Sequence, residues 1–467
     1  MKKSNRSILF STYIFLVVFI AMIGYVLWYS VAKAGEDINN SYNHRQEIMA
    51  ENTIRGSILT ADGKEIAVTL TDENGEYRYY PGGRIFAHVA GYINNGGYGL
   101  EKTMTYYLLQ SNDSFIDNIV NDITGNKSQG DNVVTTLDYG LSEAAYNALG
   151  ENYGAVIVTE PSTGKILAMV SKPDFNPNTL SEEWAQITSD KNNSQLVNRA
   201  TQGLYPPGST FKLITMLEYI RENKNTYMDY NYVCNGSYVI GESVINCNHK
   251  LAHGEENLIE SFANSCNSSF INMGLSLDIN KFRDTVQELL FNKELPYPLE
   301  YNKSQFVLSD SSSDWDIAQS SFGQGKTLIT PLQLALITSA IANDGVLMNP
   351  IFVTDVNTAS GDNVKHFKIS EYGSLMSASE AEVLTEAMSE AAKTSYSWLF
   401  TDAGYEIAGK TGTAQYGNNG YEHSLFTSFS PVDNPEIAVT VVIEGGEQRD
   451  ASAIEVAKKI YDYYNKR

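Results

Sequence analysis

A serine placed three residues ahead of a lysine, where an apolar helical run begins, is the feature of this 467-residue chain best suited to chemistry. Tyr205-Pro206-Pro207-Gly208 breaks regular structure. Ser209-Thr210-Phe211-Lys212 then opens a run in which Phe211, Leu213, Ile214, Met216, Leu217, Tyr219 and Ile220 recur with helical spacing. Ser209 and Lys212 therefore share one helical face, so the amine can reach a hydroxyl that it would deprotonate. A serine there also reads as a plain helix cap. A cap leaves Lys212 unexplained, because a cation in the first turn opposes the helix dipole at a cost of about 0.3–1 kcal/mol. The placement suits a lysine that works in its neutral form.

Two further groups follow in order, Ser265-Cys266-Asn267 and Lys410-Thr411-Gly412-Thr413, the second on a strand predicted to begin at Ile407. Taken singly, each has an ordinary reading: Asn267 as a turn former, Gly412 as a bulge, Thr411 and Thr413 as strand residues. Cys266 has no obvious histidine partner, which argues against it as a second nucleophile. The three cysteines, Cys234, Cys247 and Cys266, contain no Cys-x-x-Cys pair, so neither a zinc knuckle nor a thioredoxin-type motif is supported, and no metal or cofactor is expected.

The elements that must hold these groups are legible from periodicity. Asp62-Gly63 is a turn between alternating arms, Arg55 to Leu59 and Lys64 to Ala67, and predicts a hairpin. Asp131 to Leu137 reads as a strand leading to a helix near Leu141 to Leu149, and a domain boundary is placed near residue 150. Ala155 to Val158 and Ile166 to Val170 flank a Pro161-Ser162-Thr163-Gly164 turn as a second, largely buried hairpin. After a helix-rich middle come strands at Ile407 to Tyr416, Ser424 to Ser430 and Ile437 to Ile443, the first two joined across Gly417-Asn418-Asn419-Gly420. A helix from Ala451 to Tyr464 closes the chain. The prediction is an α+β fold whose second domain holds one five-stranded antiparallel sheet.

Ile8 to Val31 carries no charged residue and exceeds the ~20 residues needed to cross a bilayer as a helix. Lys2, Lys3 and Arg6 precede it and Glu36 and Asp37 follow, so the positive-inside bias places the N-terminus in the cytoplasm and the rest outside, in single-pass topology. Ala32-Lys33-Ala34 resembles a signal-peptide cleavage site, but the apolar run is too long for that reading. Outside the cell, Cys234 and Cys247 flank a hairpin-like segment and are expected to be disulfide-linked, with free buried thiols as the alternative. A net charge of −22 and the lack of a long Lys/Arg run exclude nucleic acid as the expected partner.

The ordered triple Ser-x-x-Lys, Ser-x-Asn and Lys-Thr-Gly is shared by penicillin-binding proteins and serine β-lactamases. From about Arg55 to its last helix the chain resembles class B penicillin-binding proteins. The likeness extends to Arg55-Gly56-Ser57-Ile58, Gly99-Leu100-Glu101, Tyr205-Pro206-Pro207-Gly208, Gly323-Gln324-Gly325 with Thr330 to Ala335, and Ala408 to Gln415. It departs at Leu425, where relatives often carry an aromatic. The resemblance implies a cytoplasmic tail over 1–7, a transmembrane helix over 8–31, a β-rich dimerisation-like pedestal over 35–150 and a transpeptidase domain over 151–467. It implies a D,D-transpeptidase that cross-links peptidoglycan stem peptides ending in D-Ala-D-Ala and is acylated by β-lactams, with a SEDS-family glycosyltransferase as membrane partner.

By the same resemblance Ser209 is the nucleophile, Lys212 the general base, Ser265 the proton relay, and Lys410 polarises Ser265 and attracts the substrate carboxylate. Asn267 holds the acyl amide, Thr411 and Thr413 take the terminal carboxylate, and Gly412 leaves room for the substrate backbone. The amides of Ser209 and Thr413 form the oxyanion hole. Alternatives are a class D-like β-lactamase, disfavoured by the segment between anchor and residue 150, and a non-catalytic β-lactam sensor or scaffold, disfavoured by the intact triple.

Overall fold

The computed structural model describes residues 2–32, 45–113, 120–121, 123–190, 194–416, 421–446 and 449–467. Lys33, Ala34, Glu36 and Asp37 of the anchor's flank, and the Gly417 to Gly420 connection, lie outside the described residues. Helix α1 (Lys2–Ala32) contains Ile8–Tyr29, of mean hydropathy 2.3 and exposed along its length, the one stretch among the described residues long and apolar enough to cross a membrane.

The Asp62-Gly63 turn forms as read. Gly63 takes φ +78°, Thr60 N–H donates to Lys64 O at 2.9 Å, and Ile58–Leu59 pairs antiparallel with Glu65–Asp72. These strands belong to a six-stranded sheet, in the order Asn363–His366, Val353–Asn357, Asn132–Thr135, Ile58–Leu59, Glu65–Asp72, Gly75–Tyr79. Two of its strands thus come from far beyond residue 150, so this sheet is not built from the N-terminal segment alone. Beneath it Glu101 is buried and accepts from Arg55 Nε and Arg78 Nε, both at 2.7 Å. Burial alone would push the Glu101 carboxyl up, but the two guanidiniums more than reverse this and hold it below the ordinary value.

The second sheet has strands β1 (Gly154–Glu160), β2 (Lys165–Lys172), β3 (Ala408–Tyr416), β4 (Tyr421–Ser430) and β5 (Ile437–Ile443). It is antiparallel throughout, in the order β3-β4-β5-β1-β2, as the alternation predicts. Successive side chains of β4 point to opposite faces. Thr427 shares a 2.6 Å hydrogen bond with Thr338 of helix α5 (Pro331–Ile341), and Ser428 a 3.0 Å one with Tyr461 of helix α7 (Ala453–Tyr464). The sheet is therefore sandwiched. Helix α5 lies on one face with every residue buried, and α7 lies with helix α2 (Tyr139–Leu149) on the other. All-round apolar character in α5 matches that central place.

Three further helices bear on the site, α3 (Lys212–Glu222), α4 (Asn267–Ser276), which packs on α3, and α6 (Ala378–Ser395), which packs against β3. Ser237–Ile240 and Ser243–Asn246 form the hairpin expected between Cys234 and Cys247. The expected disulfide does not form. All three cysteines are free, and Cys234 Sγ and Cys247 Sγ stand 3.7 Å apart, each also packed against a further group, His253 for the one and Cys266 for the other.

Candidate active site

The turn Gly208–Phe211 is a 3-10 turn, and the α-helix proper begins at Lys212. Pro207 is the residue before the turn, and no side chain caps it, so Ser209 is not a helix cap. Gly208 has φ +54°, and a Cβ on it would lie 2.6 Å from Thr413 O and 3.1 Å from Thr413 N. The close approach sets the Ser209 turn directly against β3 beside Thr413. Gly323 backs the turn: it accepts from Gly208 N–H at 2.8 Å, and a Cβ there would meet Gly208 O at 1.9 Å.

Lys212 is fully buried, and its Nζ is ringed by Ser209 Oγ at 3.0 Å, Ser265 O at 2.6 Å, Ser265 Oγ at 3.2 Å and Asn267 Oδ1 at 2.8 Å. Burial, and after it the Lys410 ammonium, hold this lysine well below its ordinary pKa. A neutral amine has two hydrogens and one lone pair. The carbonyl and the amide oxygen can only accept, so they take the hydrogens, and the lone pair is left for a hydroxyl that donates. Ser209 is the nearer of the two, which is the arrangement of a base about to remove the Ser209 proton.

Ser265 is held at φ +53°, a left-handed conformation costing on the order of 1–3 kcal/mol, and this directs its carbonyl as well as its hydroxyl at Lys212. Asn267 begins α4 and uses both amide groups on the protein: Oδ1 accepts from Lys212, and Nδ2 donates to Asn246 O at 3.0 Å. Along β3 the burial alternates. Lys410, Gly412 and Ala414 are buried, whereas Thr411 is half-buried and Thr413 and Gln415 are exposed.

Two groups on β3 have surroundings that spacing did not show. A Cβ on Gly412 would lie 2.7 Å from Pro207 O and 3.1 Å from Thr210 Cγ2, so this glycine lets the nucleophile turn seat on β3. Lys410 Nζ, expected to polarise the Ser265 hydroxyl, makes no hydrogen bond to it. It is buried without a partner, 5.5 Å from the Phe262 ring centroid, and burial lowers it to about 7. Tyr396 was missed by sequence reasoning. Its hydroxyl lies 2.7 Å from Thr411 Oγ1 and accepts from Thr411 N–H at 3.0 Å, and no local spacing marks it because the contact crosses from the end of α6 to the sheet edge.

These groups line a cleft of about 790 Å³ that has Ser209, Ser265, Asn267, Thr411 and Thr413 on its walls and the hairpin residues Val244 to Asn246 along one rim. β3 borders it as the edge strand of the sheet. A second hollow, of about 640 Å³, lies near Arg55, Arg78 and Glu101, whose charges are already paired with one another. Linear spacing gave no metal-ligating set, yet the fold gathers Cys234, Cys247, His253 and Cys266 behind the cleft, all ligand atoms within 4.8 Å of one another.

Residues 154–462 match the penicillin binding protein transpeptidase domain, and residues 55–133 match the penicillin binding protein A dimerisation domain. The peptidoglycan D,D-transpeptidase PbpA of Mycolicibacterium smegmatis is 29% identical over 443 residues, covering 89% of each chain. That of Mycobacterium tuberculosis is 30% identical over 423 residues, covering 85% of this chain and 84% of its own. The fold superposes on penicillin-binding protein A from M. tuberculosis, solved as a ceftriaxone acyl-enzyme complex, with TM-score 0.81 and 27% identity over 90% of this chain and 99% of that one. A D,D-transpeptidase domain from Eggerthella lenta gives TM-score 0.79 and 28% identity over 89% and 99%. With the match running from the first strand of the five-stranded sheet to its last helix, the chain belongs to the penicillin-binding protein transpeptidase family.

Proposed function

We propose that this protein is a peptidoglycan D,D-transpeptidase working through an acyl-enzyme on Ser209. The observation that carries the reading is the Lys212 amine with two obligate acceptors and the Ser209 hydroxyl at 3.0 Å. Ser209 attacks the carbonyl of the penultimate D-Ala of a stem peptide as Lys212 takes its proton. The Ser209 and Thr413 amides stabilise the oxyanion. Ser265, within 3.2 Å of the same amine, passes the proton to the nitrogen of the departing D-Ala. An amine of a neighbouring stem peptide then takes the acyl group and regenerates the hydroxyl.

Lys410, in its charged form, draws the terminal carboxylate toward Thr411 and Thr413, and the carboxylate in turn stabilises that charge. The donor peptide lies along the cleft edge of β3 in the manner of an added strand, with Gln324 giving up its contact to Thr413 O and Asn267 releasing one of its protein contacts to hold the acyl amide. The likeness to an acyl-enzyme structure of a relative supports β-lactams as inhibitors that enter by the same route.

We assign residues 1–7 to the cytoplasm, 8–31 to a single membrane span, and 35–150 and 151–467 to an extracytoplasmic pedestal and transpeptidase domain. A SEDS-family polymerase is the partner this arrangement suits, contacting α1 and the pedestal. Incubating the full chain with a synthetic donor ending in D-Ala-D-Ala and an acceptor amine should release D-Ala and yield the joined peptide. Fast turnover of nitrocefin without joined product would favour the β-lactamase alternative.

A further inference from the structure

Four separate chain segments deliver Cys234, Cys247, His253 and Cys266 to one buried point, and the mechanism uses none of these side chains. Cys234 ends the strand Asn231–Cys234, Cys247 follows the hairpin, His253 precedes the strand Gly254–Asn257, and Cys266 is the middle residue of Ser265-Cys266-Asn267. The cysteines are each at most 3% exposed, and the His253 side chain is 9% exposed. Cys234 Sγ to Cys247 Sγ is 3.7 Å, Cys247 Sγ to Cys266 Sγ 3.9 Å, and Cys234 Sγ to His253 Nδ1 3.3 Å. A tetrahedral zinc with Zn–S near 2.3 Å and Zn–N near 2.0–2.1 Å separates its ligands by about 3.8 Å between sulfurs and about 3.5 Å between sulfur and nitrogen. These three distances are close to those of a coordination shell, all four ligand atoms lie within 4.8 Å of one another, and the sulfurs stand too far apart for a disulfide.

The surroundings point to a cation independently of the distances. Gly236 N–H donates to Cys234 Sγ and Ser269 N–H to Cys266 Sγ, each at 3.4 Å, and Ser268 Oγ–H donates to Cys234 Sγ at 3.2 Å. Donors aimed at sulfur are what thiolate ligands take from their outer shell. Glu256, itself 1% exposed, has Oε1 3.8 Å from His253 Nδ1 and accepting from Asn264 Nδ2, while Oε2 is buried with no hydrogen-bond partner. A buried carboxylate beside three thiols calls for positive charge nearby.

We propose that Cys234, Cys247, His253 and Cys266 bind one zinc ion in a closed structural site that clamps the Ser265-Cys266-Asn267 wall of the cleft. Three thiolates and one imidazole complete a tetrahedron and leave no open position, so the ion does no chemistry on substrate. Its effect is geometric. Cys247 follows Asn246, whose carbonyl accepts from Asn267, and Cys266 lies between the two residues that touch Lys212. One ion therefore fixes the hairpin rim and the Ser265 turn together, using a ligand set with no sequential signature.

The test uses the full chain, purified in detergent without chelator and without a metal-affinity tag, with zinc counted by mass spectrometry. The expected result is one zinc per chain, with cobalt-grown protein showing sulfur-to-cobalt charge transfer and tetrahedral visible bands. Zinc should fall about tenfold or more in Cys247→Ser and His253→Ala. It should stay at one per chain in Ser209→Ala, so the metal result stands apart from the acyl-transfer reading. Metal-free protein, zinc retained in both ligand variants, or a Cys234–Cys247 or Cys247–Cys266 disulfide in a non-reduced peptide map would each overturn the proposal. If the variants do not fold, wild-type protein titrated with a mercurial decides: release of one zinc as three thiols react supports the site, and modification of the thiols without zinc release refutes it.

Discussion

Lys212 shows how much of a residue's role a sequence can carry. Its position one turn after Ser209, where a cation is unwelcome, already implied a neutral amine, and in the structure burial and then Lys410 both lower its pKa, in the direction of that expectation. Lys212→Arg keeps a positive group that cannot give up its proton near neutral pH. Acylation by penicillin should fall by about 10²–10⁴-fold with the circular dichroism spectrum unchanged; a folded Arg variant that acylates near the wild-type rate would remove Lys212 as the base. Lys410 was expected to polarise Ser265, and its buried Nζ makes no hydrogen bond, because spacing says nothing of how far a long side chain stops short. Burial lowers it to about 7 from an ordinary 10.5, so between those values the unfolded chain holds a proton that the folded chain does not. Unfolding then takes up a proton, and stability rises with pH across that window. Lys410→Met should flatten this rise and increase the melting temperature near neutral pH while abolishing penicillin acylation. A melting temperature that drops, with an unchanged pH slope, would contradict it.

At the scale of elements, strands with period-two alternation and marked turns were legible: the Asp62-Gly63 hairpin, β1 with β2, and β3 to β5 all form where the pattern placed them. What spacing did not reveal were close approaches between distant segments. Gly412, assigned to substrate, also receives Pro207 O, and Gly323 was noted only as part of a resemblance although it carries the nucleophile turn from behind. Gly323 sits at φ +81° with Gly208 O in the place of any Cβ. Gly323→Ala should therefore cost about 1–3 kcal/mol by overpacking and backbone strain. Because the displaced atom belongs to the residue before Ser209, the acylation rate should fall along with the melting temperature. A variant with wild-type acylation would show that the turn is positioned by other contacts. The strands Val353–Asn357 and Asn363–His366 escaped prediction because they are short and only partly buried, and they gain their pairing from a sheet whose other strands lie more than 200 residues earlier.

For the whole molecule, the N-terminal sheet and the catalytic half are linked by those two late strands, and the buried Arg55–Glu101–Arg78 group lies beneath the first of the two sheets. The sequence showed Arg55-Gly56 and Gly99-Leu100-Glu101 as separate marks of resemblance; their meeting is a property of the fold. Glu101→Gln leaves two buried guanidiniums without their counter-charge and should destabilise by about 3–5 kcal/mol, read as a lower denaturant midpoint. Because the Glu101 carboxyl is held below its ordinary value of 4.5, its contribution is present above that pH and is lost as pH falls through the folded-state value, so the mutant and wild-type stabilities should converge in acid. A constant difference down to strongly acid pH would count against this ion group as the cause. The claim on which the account rests is that one hydroxyl, reached through all of this architecture, takes the acyl group. Labelling the full chain with a fluorescent penicillin and mapping the modified peptide tests it directly: the account predicts the adduct on Ser209, and an adduct on Ser265 or Cys266 would contradict it.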